Sequence, residues 1–173
     1  MAGEIRNTVN KLTDSLGGTA GKLSAASTTG ADSFVENAAI GDRYEIEAAR
    51  IALARSGNET VRSVARKMIA DHTTSTHHLQ AALEMNEAEG VASPPHSLDS
   101  RRQTMLDHLA EAPDDAFDKT YIDQQLLAHE ETVSLFRSYA EGGDNAQLRS
   151  VALGALPVVE RHLNHVQIVR KQF

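Results

Sequence analysis

Apolar residues recur three and four apart along most of this chain, the spacing that lines one face of an α-helix. In "KMIADHTTSTHHL" and the residues before it, Val61, Ala65, Met68, His72, Thr76 and Leu79 share one stripe, with a histidine in the middle of it. Four long periodic segments are predicted. The first runs from about Ser33 to Ser56 and ends at "SGN", where Gly57 suits a left-handed cap. The second runs from Asn58, an N-cap residue type, to Glu89 before Gly90. The third opens after "EAPDD" and runs to Glu141 before "GGDN", and the fourth spans Asn145 to Lys171. Between the second and third, Pro94 and Pro95 break the chain, and Leu98 to Ala110 form one short extra helix on whose solvated face Arg101 and Arg102 are expected.

Loop lengths turn this list into a topology. Two short connections make antiparallel pairs of the first helix with the second and the third with the fourth, while the long middle connection has to cross over. The expected fold is therefore all-α, a ferritin-like four-helix bundle of hairpin, crossover with a short helix, and hairpin, occupying residues 33–173. Residues 1–32 are expected as an N-terminal arm. Within it Ile5, Val9, Leu12 and Leu16 recur at helical spacing, which predicts a short amphipathic helix over Glu4 to Leu16. "GGTAGKLSAASTTGAD", Gly17 to Asp32, reads as a flexible linker. The ordinary role of such an arm is a frayed or self-docking terminus; its functional role would be contact with a partner or a membrane surface through those four apolar residues.

Composition narrows the function classes. At 173 residues the chain can bury a core without staples, and the absence of cysteine removes disulfides, thiolate metal sites and cysteine nucleophiles. A net charge of −7 argues against nucleic acid as a partner, since a duplex-binding surface needs clustered Lys and Arg. Neither a signal-peptide pattern nor a transmembrane segment is seen, so a cytoplasmic location is expected. A homo-oligomer is compatible with the fold, but no exposed heptad selects a state. No phosphate-binding glycine loop and no nucleophile elbow occurs, and the Ser and Thr of "HTTSTHH" lack the orienting pattern of a triad.

Placing residues at about 100° intervals on each predicted helix shows which polar side chains fall among apolar ones. Glu45 lies on a stripe with Phe34, Ala38, Gly41, Ala48 and Ala52, and Glu47 sits at its margin. His72 is central in the second helix, His129 in the third, beside Gln125, Val133 and Phe136, and His162 completes the stripe of the fourth. Each helix thus aims one metal-competent side chain inward. Glu and His from facing helices are how metal sites are built in bundle cores, and this donor set suits zinc, iron, manganese or copper. Counting at ~1.5 Å per residue puts Glu45 and His72 nearly level and His162 roughly one turn deeper than His129, level with Gln125, with a kink at Pro157 free to shift it. A metal-free arrangement competes with this one, because a buried His or Glu is ordinarily a hydrogen-bonded core residue.

The segments "FVENAAIGDRYEIEAARIAL", "VRSVARKMIADHTTSTHHL", "FDKTYIDQQLLAHEETVSLFRSYA" and "LRSVALGALPVVERHL" resemble the bacterial family called domain of unknown function 4142, a ferritin-like helical family, over roughly Ser33 to Lys171. Its motifs fall on Glu45, Glu47, Asp71, His72, His129 and His162. Many members look exported, whereas no signal-peptide pattern is read in this sequence, so an envelope role is not expected from it. The wider ferritin-like group builds di-iron sites from Glu-x-x-His pairs, but Ile69, Leu126 and Val159 stand three before the histidines here, so the resemblance implies one metal ion and no ferroxidase pair.

The leading expectation is a bundle that holds a single transition-metal ion through Glu45, His72, His129 and His162, with a stress or metal-handling role and binding favoured over enzymatic turnover. The alternative is a metal-free structural or interaction module whose buried His/Glu network sets bundle register. Sensing of pH by the same histidines is a third.

Overall fold

The computed structural model describes residues 2–173. Among them are six α-helices and one 3-10 turn, with no strand: α1 (Ala2–Ala25), α2 (Ala31–Arg55), α3 (Glu59–Leu83), the 3-10 turn Asn86–Ala88, α4 (Ser100–Glu111), α5 (Asp114–Gly142) and α6 (Ala146–Arg170). Side-chain caps fix three of the starts. Asn58 accepts from the amides of Thr60 and Val61, Asp99 from Arg102 and Asn145 from Leu148, which satisfies donors that a helix N-terminus leaves open. Helix α2 ends differently from expectation. Ser56 is extended and Gly57 is not left-handed; the one described residue with positive φ is Gly90, at 86°.

The core explains how the long helices run. One apolar cluster gathers Tyr44 to Ala52 of α2, Val61 to Met68 of α3, Phe117 to Ile122 of α5, Val166 and Val169 of α6, and the inner face of α4. A second gathers Phe34 to Ala38, Leu79 and Ala82, Leu135 to Tyr139, and Leu148 and Ala152 of the same four helices. Each long helix therefore passes through both clusters, and the order of passage makes α2 and α6 run one way and α3 and α5 the other. Contacts join α2 to α3, α5 to α6, α2 to α5 and α3 to α6. The chain from Glu84 to Pro113 returns from the second cluster to the first, which is why it is long. Between the clusters, each of the four helices places a polar residue.

Two expectations change here. The stretch expected as linker from Gly17 onward continues α1 to Ala25, leaving only residues 26–30 as the connection to α2. Its glycines serve close approach: a Cβ on Gly18 would lie 3.1 Å from Leu127, and one on Gly21 2.5 Å from Glu131 Oε2. Helix α1 thus lies against α5 and α4. Arg101 and Arg102 are not a solvated face. Arg102 is buried, both guanidinium groups donate to Glu131 at 2.7 Å, and Arg102 also pairs with Asp99. The same seam buries Asp14 of α1, which accepts from His108 Nδ1 at 2.7 Å and from Gln124 Nε2 at 2.8 Å.

Candidate metal centre

The polar layer between the two clusters is built around three imidazoles. His72 of α3, His129 of α5 and His162 of α6 are all buried, and their ring centroids stand 5.5 to 5.8 Å apart. One nitrogen from each ring lies within 4.8 Å of the others. The rings of His129 and His162 stand 5.5 Å apart despite the turn of depth expected between the two residues. Helix α6 runs unbroken through Pro157.

Hydrogen bonds decide what each ring offers. His72 Nδ1 meets Asp42 Oδ1 at 2.8 Å, His129 Nδ1 meets the Gln125 carbonyl at 2.8 Å, and His162 Nε2 meets Asp71 Oδ2 at 2.7 Å. Carboxylate and carbonyl oxygens only accept, so the ring N–H sits on those nitrogens and, in the neutral ring, the lone pair on the other. Those other nitrogens, His72 Nε2, His129 Nε2 and His162 Nδ1, are buried and have no hydrogen-bond partner among the described residues. A buried polar atom left unpartnered costs ~1–3 kcal/mol, and this layer carries three of the same kind. An imidazole held by an acceptor behind and bare in front is the arrangement of a metal-ligating histidine.

The supports are themselves held. Thr76 Oγ1 lies 2.9 Å from the His72 carbonyl and 3.3 Å from Asp42 Oδ2, its single proton serving one acceptor or the other, while Lys67 Nζ donates to Asp71 Oδ2 at 2.8 Å. Glu45 stands beside the three rings and not among the atoms they converge. Its Oε2 accepts from Gln125 Nε2 at 2.6 Å; its Oε1 has no hydrogen-bond partner among the described residues and lies 3.5 Å from His129 Nδ1, on the side of the ring that faces the Gln125 carbonyl. The structure therefore brings together three of the four expected residues and sets the fourth against one of them. Glu47 is half-buried and outside the layer.

Electrostatics sort the three rings. Burial, with His72 nearby, pushes His129 down to about 3, and burial, with His129 nearby, pushes His162 down to about 4, so both are neutral at pH 7. Burial also opposes a proton on His72, but the Asp42 hydrogen bond and charge outweigh it and raise this pKa. Burial raises Glu45 against the pull of His72 and Gln125. At Asp71 burial is overcome by Lys67 and His162, and the carboxyl is lowered. The layer can thus present two or three neutral nitrogens next to buried carboxylates, a donor set for a cation.

A cavity of ≈ 580 Å³ opens beside the centre between α3 and α6. His72, His162, Asp42 and Asp71 share its wall with the small residues Ser75 and Gly154.

Asp42 was not legible as part of the site. It falls in "GDR", one turn before Glu45, where a short polar run suggests surface. The only signal was its i, i+3 spacing to an inward Glu.

Fold and centre together define an all-α protein with three buried histidines able to hold a metal ion. The chain belongs to the family described as domain of unknown function (DUF4142), whose model matches residues 18–169. No curated protein matches the chain, and no solved structure does.

Proposed function

We propose that this protein is a ferritin-like four-helix bundle that holds a single transition-metal ion between His72, His129 and His162, in a metal-handling or stress role. Three buried ring nitrogens, each bare while its ring is anchored from behind, carry the reading. The helix directions support the bundle: two antiparallel hairpins joined by a long return are the ferritin-like arrangement.

Nitrogen donors backed by carboxylates suit zinc and copper best by affinity, with iron and manganese below them. Glu45, whose Oε1 is buried 3.5 Å from His129 Nδ1 on the far side of that ring, would have to swing past the ring to take a remaining position. A Glu45 side chain that closed the site would favour holding an ion over turning over a substrate. Ile69, Leu126 and Val159 occupy the positions from which a second ion would draw its carboxylates, so one ion per chain is expected.

The test is thermal unfolding of the full chain with chelator and with each metal in turn. Binding to the native state raises stability by ~2.7 kcal/mol at a hundredfold excess over Kd, a shift of several degrees. A melting temperature that none of zinc, copper, iron or manganese moves would instead favour the metal-free network as the function of these residues.

A further inference from the structure

The first helix carries an apolar face that nothing among the described residues covers. Ile5, Val9, Leu12, Leu16 and Leu23 are each between 54 and 73% exposed, although they form one stripe along α1. The opposite side of the same helix is pinned to the body by buried Asp14 and by Gly18 and Gly21 against Leu127 and Glu131. Helix α1 cannot roll its apolar face inward without breaking those contacts, so the face is presented outward by construction.

Its spacing says what fits. With α1 continuing to Ala25, the outward positions are 5, 9, 12, 16, 19 and 23, alternating by four and three, the a/d repeat of a coiled-coil seam. A helix read as ending at Leu16 is too short to show this. A narrow seam of period 3.5 is matched by another helix, whereas a membrane-surface helix carries a broad apolar face with aromatics and a cationic rim. Here α1 has no aromatic residue, and the rim cations Arg6 and Lys22 are already paired with Glu111 and Glu130.

We infer that α1 is the interface for a second copy of this chain, the two first helices pairing antiparallel. In that register Ile5 of one copy lies opposite Leu23 of the other, Val9 opposite Thr19 and Leu12 opposite Leu16, so every apolar position but Val9 meets an apolar one. The flanking residues nearest the two-fold are Thr13 and Ser15, small and uncharged, and no cation faces a cation. Five such side chains with their flanks offer roughly 500 Å² per copy, so the pair buries on the order of 1,000 Å², the size at which a specific interface begins. The interface is small, and association at micromolar concentration is expected.

Sedimentation equilibrium of the full chain at micromolar concentration tests this, with a Leu12→Glu/Leu16→Glu variant and a Leu153→Glu control on the exposed side of α6. The expected result is twice the 18.7 kDa mass of one chain for wild type and control, and the single mass for the double variant with an unchanged circular dichroism spectrum. Because the chain has no cysteine, single thiols report register: Thr13→Cys should cross-link to itself under mild oxidation and Thr19→Cys should not. A monomeric wild type, a dimer that survives the double substitution, or self-linking at residue 19 but not 13 overturns the proposal. A monomer that instead sediments with phosphatidylcholine/phosphatidylglycerol vesicles overturns it in favour of a lipid surface.

Discussion

His129→Leu separates a centre built for a ligand from one built for stability. In the metal-free protein the His129 ring is fully buried, its Nε2 is without a partner among the described residues, and its Nδ1 donates one hydrogen bond to a carbonyl. That carbonyl belongs to Gln125, four residues earlier in the same helix, and keeps its backbone bond when the ring is gone. Substitution removes an unpartnered buried nitrogen that costs ~1–3 kcal/mol and a hydrogen bond that contributes ~1 kcal/mol. Leucine of similar volume keeps the layer filled. The balance predicts a metal-free variant between unchanged and ~2 kcal/mol more stable than wild type, the sign seen where a site is kept at the expense of the fold. With metal the order reverses, because wild type gains ~2.7 kcal/mol at a hundredfold excess over Kd and the variant gains nothing. Urea unfolding with chelator and with saturating zinc measures both differences. A variant destabilised by about 3 kcal/mol or more in chelator would refute the reasoning, since that is the cost of breaking a satisfied buried network.

Other outcomes follow from the same geometry. Metal-free stability should fall on acidification below pH ~6.5, because His129 and His162, lowered to about 3 and about 4, refuse protons that the unfolded chain takes up. Their contribution is complete above the unfolded value and is lost as pH falls through the folded ones, at about 1–2 kcal/mol per unit after allowance for His72. The raised His72 acts in the opposite sense, its contribution being present below the unfolded value and fading as pH rises through the folded one. Chelator-treated protein unfolded in urea at a series of pH values reads the slope, and a flat profile between pH 6.5 and 4 would contradict the burial of the neutral rings. Asp42→Asn and Asp71→Asn should each weaken metal binding by ~10–100-fold in a competition titration while leaving the helical spectrum intact, because each carboxylate orients one ring. Gly21→Ala should destabilise α1 despite a helix-propensity gain of ~1 kcal/mol, since the new Cβ meets a Glu131 carboxylate that Arg101 and Arg102 hold in place. Faster proteolysis within residues 2–25 would show it, and an unchanged cleavage rate would mean that Glu131 has room to move.

Most of the fold was legible because periodicity and caps are local. Asn58 caps the helix it precedes, as its residue type and position predict, and the stripes through Phe34, Met68, Phe136 and Leu148 are buried as their spacing requires; the caps Asp99 and Asn145 were not singled out in the sequence. Helix α1 was half legible, since "GGTAG" has the composition of a linker and only the position of Glu131 shows why glycine stands there. For the same reason Arg102 looked like surface: its partners Asp99 and Glu131 lie 3 and 29 residues away, and only folding brings the second one near. In the centre, helical phase is enough to point His72, His129 and His162 inward. It says nothing of which ring nitrogen is occupied, and so could not assign Asp42 and Asp71 as the groups behind the rings. Nor could it separate Glu45 beside the rings from a residue among them, because an inward direction fixes a side chain to a sector and not to a point.

Metal content per chain tests the central claim most directly. The full chain is loaded separately with zinc, copper, iron and manganese, dialysed free of excess, and analysed by elemental mass spectrometry beside His72→Ala, His129→Ala and His162→Ala. One equivalent of at least one of these metals in the wild type, lost in each of the three variants, is the result this account predicts. A wild type that retains none of them, or variants that retain as much as wild type, would contradict it.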